Sequence, residues 1–330
     1  MTDPRRPKVV VVGAAVTDLV FQVTEGLPEW SQSLQASQHF KLPGGKGLNQ
    51  AIAAARQGAD VTLVAALGDD SDGDWLLAQL RADGVNTDLV DRQRGTTPTA
   101  AVFVRKLLRE GIARTSVVGW KNANEIRISL DHLQKAESAL ASADCVLVSL
   151  EVPIPVVDAT IRMARRGGAW TILHASPPVA YESLGERTLE KASMVVLSDW
   201  EAATLLGIDT RPASELAGLL RKRGVPIPCV LSDDLSCAVV TNGGVVVDPG
   251  FQMIQIDPTG TGDAFCATFG VVYASIPPDA SARRAPDLTE SLAMANAARA
   301  LASSTFGASV SMPSTAMIEA LMEDESRRAI

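Results

Sequence analysis

Short apolar runs rich in valine, isoleucine and leucine recur along the chain, and this recurrence restricts the fold more than any other feature. The clearest runs are residues 8–12, 61–65, 145–149, 170–173, 194–197 and 229–232. They lack the regular polar alternation of a half-exposed strand, which is typical of strands buried on both faces of a sheet. Segments of helical character separate most of them, and each leads into a polar or glycine-containing loop. This repetition predicts an α/β fold with a parallel sheet and right-handed crossovers.

Composition and charge narrow the functional classes. The chain has 330 residues and 46% are hydrophobic, so we expect one α/β domain over residues 1–330 with a substantial core. The net charge is −8 without a dense cluster of lysine or arginine, which disfavours a nucleic-acid partner. Four cysteines are scattered without a CxxC pair, so reduced thiols are expected. The apolar run at residues 9–12 is too short for a signal sequence or a membrane span, and we expect a cytoplasmic protein without a membrane partner.

Two segments interrupt the βα repetition with short, mixed strands. Residues 21–42 contain Pro28 and no sustained helical period, and residues 97–104 and 115–120 alternate in a similar way. We expect insertions at about residues 14–42 and 96–120 to meet as one small β-sheet that covers a cleft as a lid. An exposed face of such a lid could pair two subunits as a homodimer.

A glycine-rich segment, DPTGTGDAF at residues 257–265, leads into a long apolar run. The run predicts a buried helix whose first turn contains Gly260, Gly262 and Asp263. Free backbone N–H groups and the helix dipole at such a turn stabilise a phosphate or a developing oxyanion. A carboxylate inside an anion site is most easily explained as a base that takes a proton from an attacking hydroxyl. The alternative is a tight turn with Asp263 as an N-cap.

A second glycine-rich segment, PGGKGLNQ at residues 43–50, opens another predicted helix. It is not a Walker A loop, because Gly47 rather than Ser or Thr follows Lys46. Its glycines allow a ligand to approach the backbone, and Lys46 and Asn49 offer donors for hydroxyl groups, although glycine here could serve loop geometry alone. Asp18 follows the first strand at the edge where open α/β sheets bind ligands. An Asx turn or a helix cap is equally compatible with the local sequence of Asp18.

Both glycine-rich segments, in this order and far apart in the chain, resemble those of the ribokinase-like, or PfkB-type, carbohydrate and nucleoside kinases. The early segment is most similar to the ribokinase branch, and residues 68–70 and 122–124 also match runs of that branch. The resemblance covers nearly the whole chain. It implies a doubly wound, mostly parallel α/β sheet with a small β lid. It also implies transfer of the γ-phosphoryl group of ATP to a primary hydroxyl of a sugar or nucleoside, with Mg²⁺ and a monovalent cation such as K⁺.

The resemblance assigns roles to individual residues of this chain. Sugar hydroxyls would contact Asp18, Gly44, Gly45, Lys46, Asn49 and Glu151. The catalytic base and its anion hole would be formed by Asp263, Gly260, Thr261 and Gly262. The nucleotide would lie near Ser198, Ser232, Asp233 and Asn296, and Glu201 would hold Mg²⁺ through water. A loop for the monovalent cation would contain Asp257, Thr259, Ala302, Gly307 and Ser311.

The nucleotide half departs from the family pattern. Ser198 stands where family members usually have Asn, and a serine offers no amide donor at the same reach. The family's Gly-x-x-Gly turn falls at about residues 235–238, without glycine and preceded by Asp233 and Asp234. Both the charge and the backbone freedom of this turn are unfavourable for a phosphate. His174 stands where many of these kinases have Asn, and we expect it to be structural.

Two hypotheses of different class follow. The first is an active ATP-dependent carbohydrate kinase with a modified nucleotide pocket, acting on a ribose-like pentose or a related sugar. The second is a sugar- or nucleoside-binding protein on a kinase scaffold with weakened or lost phosphoryl transfer; a nucleoside kinase is a further alternative. Asp263 and its glycines favour the first hypothesis, whereas Asp233 and Asp234 favour the second.

Overall fold

The structure is a computed structural model that describes residues 5–24, 27–106, 113–119, 126–179, 183–184, 188–276 and 288–328. Four predicted features fall wholly or partly outside these ranges. They are the first insertion at residues 25–26, the second insertion at residues 107–112 and 120, the run at residues 122–124, and residues 277–286, whose loop-like sequence predicts an exposed connection.

A nine-stranded sheet forms the centre of the molecule. Its strands are β1 (Lys8–Val12), β4 (Asp60–Gly68), β5 (Val90–Gln93), β8 (Cys145–Ser149), β9 (Trp170–His174), β10 (Met194–Ser198), β11 (Pro228–Leu231), β12 (Cys237–Thr241) and β13 (Gly244–Asp248). They are ordered β13-β12-β11-β10-β9-β8-β1-β4-β5. The pairs from β11 to β5 are parallel, and only β11–β12 and β12–β13 are antiparallel within the described sheet. The mostly parallel sheet confirms the predicted fold class.

Helices cover both faces of this sheet. They are α1 (Lys46–Arg56), α2 (Ser71–Ala82), α3 (Leu130–Lys135), α4 (Glu137–Ser142), α5 (Ile154–Gly167), α6 (Thr188–Lys191), α7 (Asp199–Leu206), α8 (Ala213–Lys222), α9 (Thr261–Ser275), α10 (Thr289–Ser303) and α11 (Thr315–Glu323). Val9 and Val11 of β1 pack with α1, α2, α9, α10 and α11, whereas Val10 and Val12 pack with α3 to α8. Burial on both faces explains why the central strands are continuously apolar.

A separate four-stranded sheet is built from the two predicted insertions. Its order is β3-β2-β6-β7, with β2 (Val16–Val23), β3 (Gln38–Gly44), β6 (Thr99–Lys106) and β7 (Ala113–Gly119). β2 and β6 pair in parallel, so the two insertions meet along this pair as expected. One face buries Val20, Val102 and Val104, whereas Val117 and Val118 of β7 are exposed. The prediction of a small second sheet is confirmed.

The sheet order brings together the ends of β1 and β8, the strands that come shortly before the predicted site residues Asp18 and Glu151. β1 and β8 are parallel neighbours, although the chain passes through β4 and β5 on the far side of β1 before it reaches β8. The carboxyl ends of β1 and β8 therefore form a topological switch point, which is where open α/β sheets bind ligands.

Two local predictions are wrong. The sequence before the run at residues 145–149 predicts one helix near residues 130–141, but the structure has two short helices there, because Ala136 ends α3 and caps α4. The turn predicted at residues 235–238 lies earlier, since Ser232 N–H donates to Ser236 O while Cys237 and Ala238 already belong to β12. Within the described ranges, no helix is both long enough and apolar enough to cross a membrane.

Candidate active site

The early glycine segment forms the junction between the small sheet and α1. Gly45 is the N-cap of α1 with φ 91°, a left-handed conformation that favours glycine. Gly44 ends β3 directly against Asp18 of β2, and a β-carbon at Gly44 would lie 2.0 Å from Asp18 Oδ2. Asp18 is buried inside a strand, so it is neither an Asx turn nor a helix cap. The close approach of Gly44 holds the Asp18 carboxylate at the cleft.

The first turns of α1 present one polar face to α9. Lys46, Asn49 and Gln50 are spaced i, i+3 and i+4, which places them on the same side of the helix. Asn49 Nδ2 donates to Asp263 Oδ2 at 2.9 Å, and Gln50 Nε2 donates to Asp263 Oδ1 at 3.1 Å. The Lys46 backbone N–H donates to Glu151 Oε2 at 2.8 Å, which joins α1 to the loop after β8.

Asp263 is the buried centre of this arrangement, in the first turn of α9. His174, the last residue of β9, places Nδ1 3.1 Å from Asp263 Oδ1. Burial acts to raise the pKa of Asp263, but the Lys46 charge and the hydrogen bonds from His174 and Asn49 outweigh it, and the pKa is lowered. Asp263 is therefore ionised at neutral pH and able to accept a proton.

The Lys46 ammonium is the cation of the site. Burial acts to lower its pKa, but the charges of Asp263, Glu151 and Glu201 outweigh burial, and the pKa is raised. Lys46 therefore stays charged, and its positive charge offsets part of the negative charge that the carboxylates bring to the cleft.

Asp18 and Glu151 have pKa values near neutrality. Burial, followed by the charges of Glu151, Asp257 and Asp263, raises the pKa of Asp18 from 3.8 to about 7. Surrounding protein, which desolvates the carboxyl, and the Asp263 charge raise the pKa of Glu151 to about 7, against the opposing charge of Lys46. Glu151 is nevertheless an exposed residue, so water screens its charge.

The late glycine segment forms the N-terminal end of α9. Gly260 is its N-cap with φ 81°, and a β-carbon there would meet Met312 Cε at 2.9 Å. The first-turn N–H groups of an α-helix lack intrahelical acceptors, and Gly262 and Asp263 lie in this turn. The helix end thus offers backbone donors and a positive dipole beside the Asp263 carboxylate.

Asp257 anchors this segment to the loop after α10. Its Oδ1 accepts from Thr259 N at 2.9 Å and from Thr259 Oγ1 at 2.6 Å, while its Oδ2 accepts from Gly307 N at 2.9 Å. The Ala302 carbonyl accepts from Thr305 N at 3.3 Å, and Ser311 Oγ donates to Ala308 O at 2.8 Å. Asp257 is thus joined to Thr259 and Gly307, whereas Ala302 and Ser311 bond to other residues of the loop. These bonds fit a loop anchor better than a cage for K⁺.

The proposed nucleotide side lies at the carboxyl ends of β10 and β11. Ser198 and Glu201 form a capping box at the start of α7: Ser198 N–H donates to Glu201 Oε2 at 2.8 Å, and Glu201 N–H donates to Ser198 Oγ at 3.1 Å. The described residues contain no group of three His, Cys, Asp or Glu that could hold a metal ion. Glu201, with the neighbouring Asp199, fits Mg²⁺ only in the usual kinase manner, where phosphate oxygens and water supply most ligands.

A buried arginine, Arg299 of α10, holds the turn from Ser232 to Ser236. Its guanidinium donates to Ser236 O at 3.0 Å and to Ser232 O. Burial lowers the pKa of Arg299, opposed by nearby groups that include Asp233 and Asp234. The positive charge of Arg299 thus offsets part of the negative charge of Asp233 and Asp234, and the sequence alone did not suggest this.

Asn296, one helical turn before Arg299, is fully buried. Its Nδ2 donates to Asp248 Oδ1 at 2.8 Å. The same Nδ2 donates to Cys237 Sγ at 3.3 Å, whereas the buried Asn296 Oδ1 has no hydrogen-bond partner among the described residues.

The structure therefore brings the predicted sugar-side and base residues together. It also shows contacts of Gln50, His174 and Arg299 that the sequence did not predict. Gln50 could have been found from its i+4 spacing to Lys46. His174 was noted but not expected to touch Asp263. Arg299 is the one charged residue within the run ANAARAL of residues 295–301, and a lone charge in a mostly apolar helix is a signal of a buried partner.

Comparisons with known proteins show the family of this chain. The model of the pfkB family carbohydrate kinases matches residues 6–315. A ribokinase from Bacillus subtilis is 30% identical over 315 residues, which cover 95% of this chain and 99% of the relative. A bifunctional ribokinase/ribose-5-phosphate isomerase A from Fructilactobacillus sanfranciscensis is 30% identical over 263 residues, and there the match covers 78% of this chain but 47% of the longer relative.

The fold comparison agrees. The structure of an Arabidopsis thaliana ribokinase complexed with ribose and ATP has a TM-score of 0.78 and 24% sequence identity, covering 97% of this chain and 99% of the other. The chain belongs to the pfkB family of carbohydrate kinases. It is a sugar kinase by this membership, with the ribokinase fold, and ATP is the implied co-substrate.

Proposed function

We propose that this protein transfers the γ-phosphoryl group of ATP to a primary hydroxyl of a ribose-like pentose, with Asp263 as the general base. One observation carries the proposal. The buried, ionised Asp263 lies at the N-terminal end of α9, beside Lys46, and is held by Asn49 and Gln50. A base inside an anion site fits proton removal coupled to phosphoryl transfer.

In the proposed step, the acceptor hydroxyl loses its proton to Asp263. Its oxygen forms a bond to the γ-phosphorus while the bond from that phosphorus to the β–γ bridging oxygen breaks, and ADP leaves. The N–H groups at Gly260, the N-cap, and at Gly262 stabilise the transferred charge, and Thr261 N–H, which donates to Pro258 O at 3.3 Å, would join them once phosphate replaces that acceptor. Mg²⁺, when bound with ATP, neutralises phosphate charge, and Glu201 is the residue we propose for its water shell. No step is assigned to a monovalent cation.

The sugar side supports a polyhydroxyl acceptor. Asp18 and Glu151 offer carboxylate oxygens, and Lys46 and Asn49 offer donors, from opposite sides of the β1–β8 switch point. Several donors and acceptors that converge on one small site fit adjacent hydroxyl groups on a furanose-sized ring. We place Gly44 and Gly45 at the same site, as the backbone on which the ring lies.

A second function, sugar or nucleoside binding with weakened transfer, has a specific observation in its favour. Asp233 and Asp234 occupy the turn after β11, near Asp199, where a nucleotide is proposed to bind. Burial and the charges of Asp233 and Asp234 raise the pKa of Asp199, which indicates a field that repels phosphate. The Ser198 hydroxyl is also engaged in the capping box.

One experiment separates these functions. Sugars and nucleosides are screened with ATP and Mg²⁺, and ADP release is measured together with calorimetric binding of each acceptor and of MgATP. Ribose-dependent ADP release, with less release for 2-deoxyribose or nucleosides, supports the proposal. Acceptor binding without any MgATP or MgGTP binding would favour the binding protein. Release that depends on a nucleoside alone would favour a nucleoside kinase.

Three properties of the whole molecule are also proposals. We propose that residues 1–330 act as one domain whose four-stranded sheet closes over the bound sugar. Hydrogen exchange of β2 and β6 that is unchanged by sugar would count against closure.

We propose a homodimer through the exposed Val117 and Val118 of β7. Light scattering of a Val118→Lys variant tests this, because the charged side chain should favour the monomer. The cytoplasmic location stays a prediction.

A further inference from the structure

Three side chains from three different elements meet at one corner of the proposed base. Gln50 Nε2, His174 Nδ1 and Asp263 Oδ1 are mutually separated by 3.1 Å. All three residues are buried, with 1%, 5% and 2% of their surface exposed, respectively. Any proton at this corner must therefore be shared among these atoms and not with bulk water.

The donors and acceptors at this corner select one histidine tautomer. Gln50 Nε2 is a donor in this orientation, and turning the amide over would point Gln50 Oε1 at the Asp263 carboxylate. A proton on Nδ1 gives Asp263 Oδ1 two donors, Gln50 and His174. A proton on Nε2 instead would let Nδ1 accept from Gln50 Nε2 at 3.1 Å, but it would leave the Nδ1 lone pair facing the Asp263 carboxylate oxygen at the same distance, without a hydrogen between them. The contact with the carboxylate decides between the two, because hydrogen bonds to an ionised acceptor are stronger than those between neutral groups. The neutral ring with its proton on Nδ1 is the favoured arrangement.

The far edge of the same ring lies against the anion site. A β-carbon added at Gly262 would come within 2.9 Å of His174 Nε2 and 3.0 Å of its Cε1. The absence of a side chain at Gly262 therefore leaves the space that the imidazole occupies. Displacing the ring would disturb both the carboxylate and the first turn of α9.

We propose that His174 is a positioning residue for the base: its Nδ1–H holds Asp263 Oδ1, keeps the carboxylate ionised and fixes its direction toward the acceptor hydroxyl. This inference rests on the proposed role of Asp263. Asn49, which holds Oδ2, and His174 together clamp both carboxylate oxygens. The charged group in contact with the ring is Asp263 of α9, and the strand partners of His174, Ser149 of β8 and Val196 of β10, are uncharged.

The kinetic test compares wild type, His174→Ala and His174→Asn. Loss of a donor to the ionised form raises the pKa of a carboxyl, so the acid limb of kcat at saturating substrates should move to higher pH by about one unit or more in H174A. We expect kcat at neutral pH to fall about 10-fold or more, with sugar affinity retained. H174N keeps an amide donor and should restore most of both properties.

The control is His132, a second buried histidine. Its Nε2 lies 2.9 Å from Leu89 O, and neither residue belongs to the proposed site. His132→Asn should lower stability without moving the acid limb. If H174A leaves kcat and its acid limb as in wild type, or H174N is as impaired as H174A in both, the positioning role is refuted.

A spectroscopic readout tests the inference even if no acceptor is phosphorylated. The chain contains three histidines, so histidine-selective ¹⁵N labelling gives three imidazoles, and H174N assigns the one that disappears. We expect Nδ1 of His174 to carry a proton at pH 8. An unprotonated Nδ1 with the proton on Nε2 would overturn the inference. A failed screen for kinase activity combined with a protonated Nδ1 would instead count against the proposed function alone.

Discussion

Replacing Asp18 by Asn should make the unliganded protein more stable at pH 8 while it weakens sugar binding. Burial, then the charge of Glu151, then those of Asp257 and Asp263, raise the pKa of Asp18 from 3.8 to about 7, and Lys46 offsets only part of this. At pH 8 the charged form of this carboxyl is unfavourable in the folded protein, and the proposed sugar site would use that charged form to bind its ligand. The Asp18→Asn substitution should therefore raise the stability of the unliganded protein and lower its affinity for sugar.

The direction in which the stability of the fold changes with pH follows from proton linkage. Between pH 3.8 and about 7 the folded protein keeps the Asp18 proton that the unfolded chain releases. The stability of the fold therefore falls as pH rises through this window, and the full penalty is present above about pH 7. A difference of about three pKa units corresponds to about 4 kcal/mol at most, and screening by water in the open cleft reduces this to on the order of 1–3 kcal/mol.

The assay is urea unfolding at pH 5 and pH 8 for wild type and D18N. The gain of D18N over wild type should be larger at pH 8 than at pH 5, and Glu151→Gln should produce part of the same effect. Asp209→Asn, at an exposed position, is the control. Sugar affinity of D18N should fall about 10- to 100-fold, because a charged hydrogen-bond acceptor is lost. An identical pH dependence of stability in D18N and wild type would refute the reasoning.

Two further perturbations address the two halves of the cleft. Gly44→Ala places a methyl group 2.0 Å from Asp18 Oδ2, so the KM for sugar should rise about 10-fold or more while the KM for ATP is unchanged. Gly218→Ala, in α8 with no atom within 4 Å of the added carbon, is the control and should change neither KM. Asp234→Asn removes a charge near the proposed phosphates and should lower the KM for ATP about 2- to 5-fold at low salt. An unchanged KM for ATP in Asp234→Asn at both low and high salt would show that the acidic turn does not repel the nucleotide.

The large elements were predictable because burial leaves a strong mark on sequence. β8 and β10 are apolar on both faces, and they were predicted to within one residue from continuous apolar runs. The helix starts at Lys46 and Thr261 follow glycines with positive φ, Gly45 and Gly260, which the glycine-rich segments signalled.

The details that sequence did not yield depend on contacts between distant segments. Gln50 and His174 are 124 residues apart, and nothing local to either predicts that they meet at Asp263. The turn after β11 was misplaced because Leu235 adopts φ 70° without being glycine, a conformation that a leucine rarely takes. Arg299 holds that turn through its two end carbonyls, and local propensity carries no information about such a support.

The central claim is that Asp263 removes the acceptor proton, and one comparison tests it most directly. Phosphoryl transfer from ATP to ribose is followed by ³¹P NMR for wild type and Asp263→Asn, with ribose affinity measured on both by calorimetry. The account predicts a sugar phosphate from wild type, and in D263N a rate lower by about 100- to 10,000-fold with ribose affinity within a few-fold of wild type. Transfer by D263N at a rate close to that of wild type would contradict it.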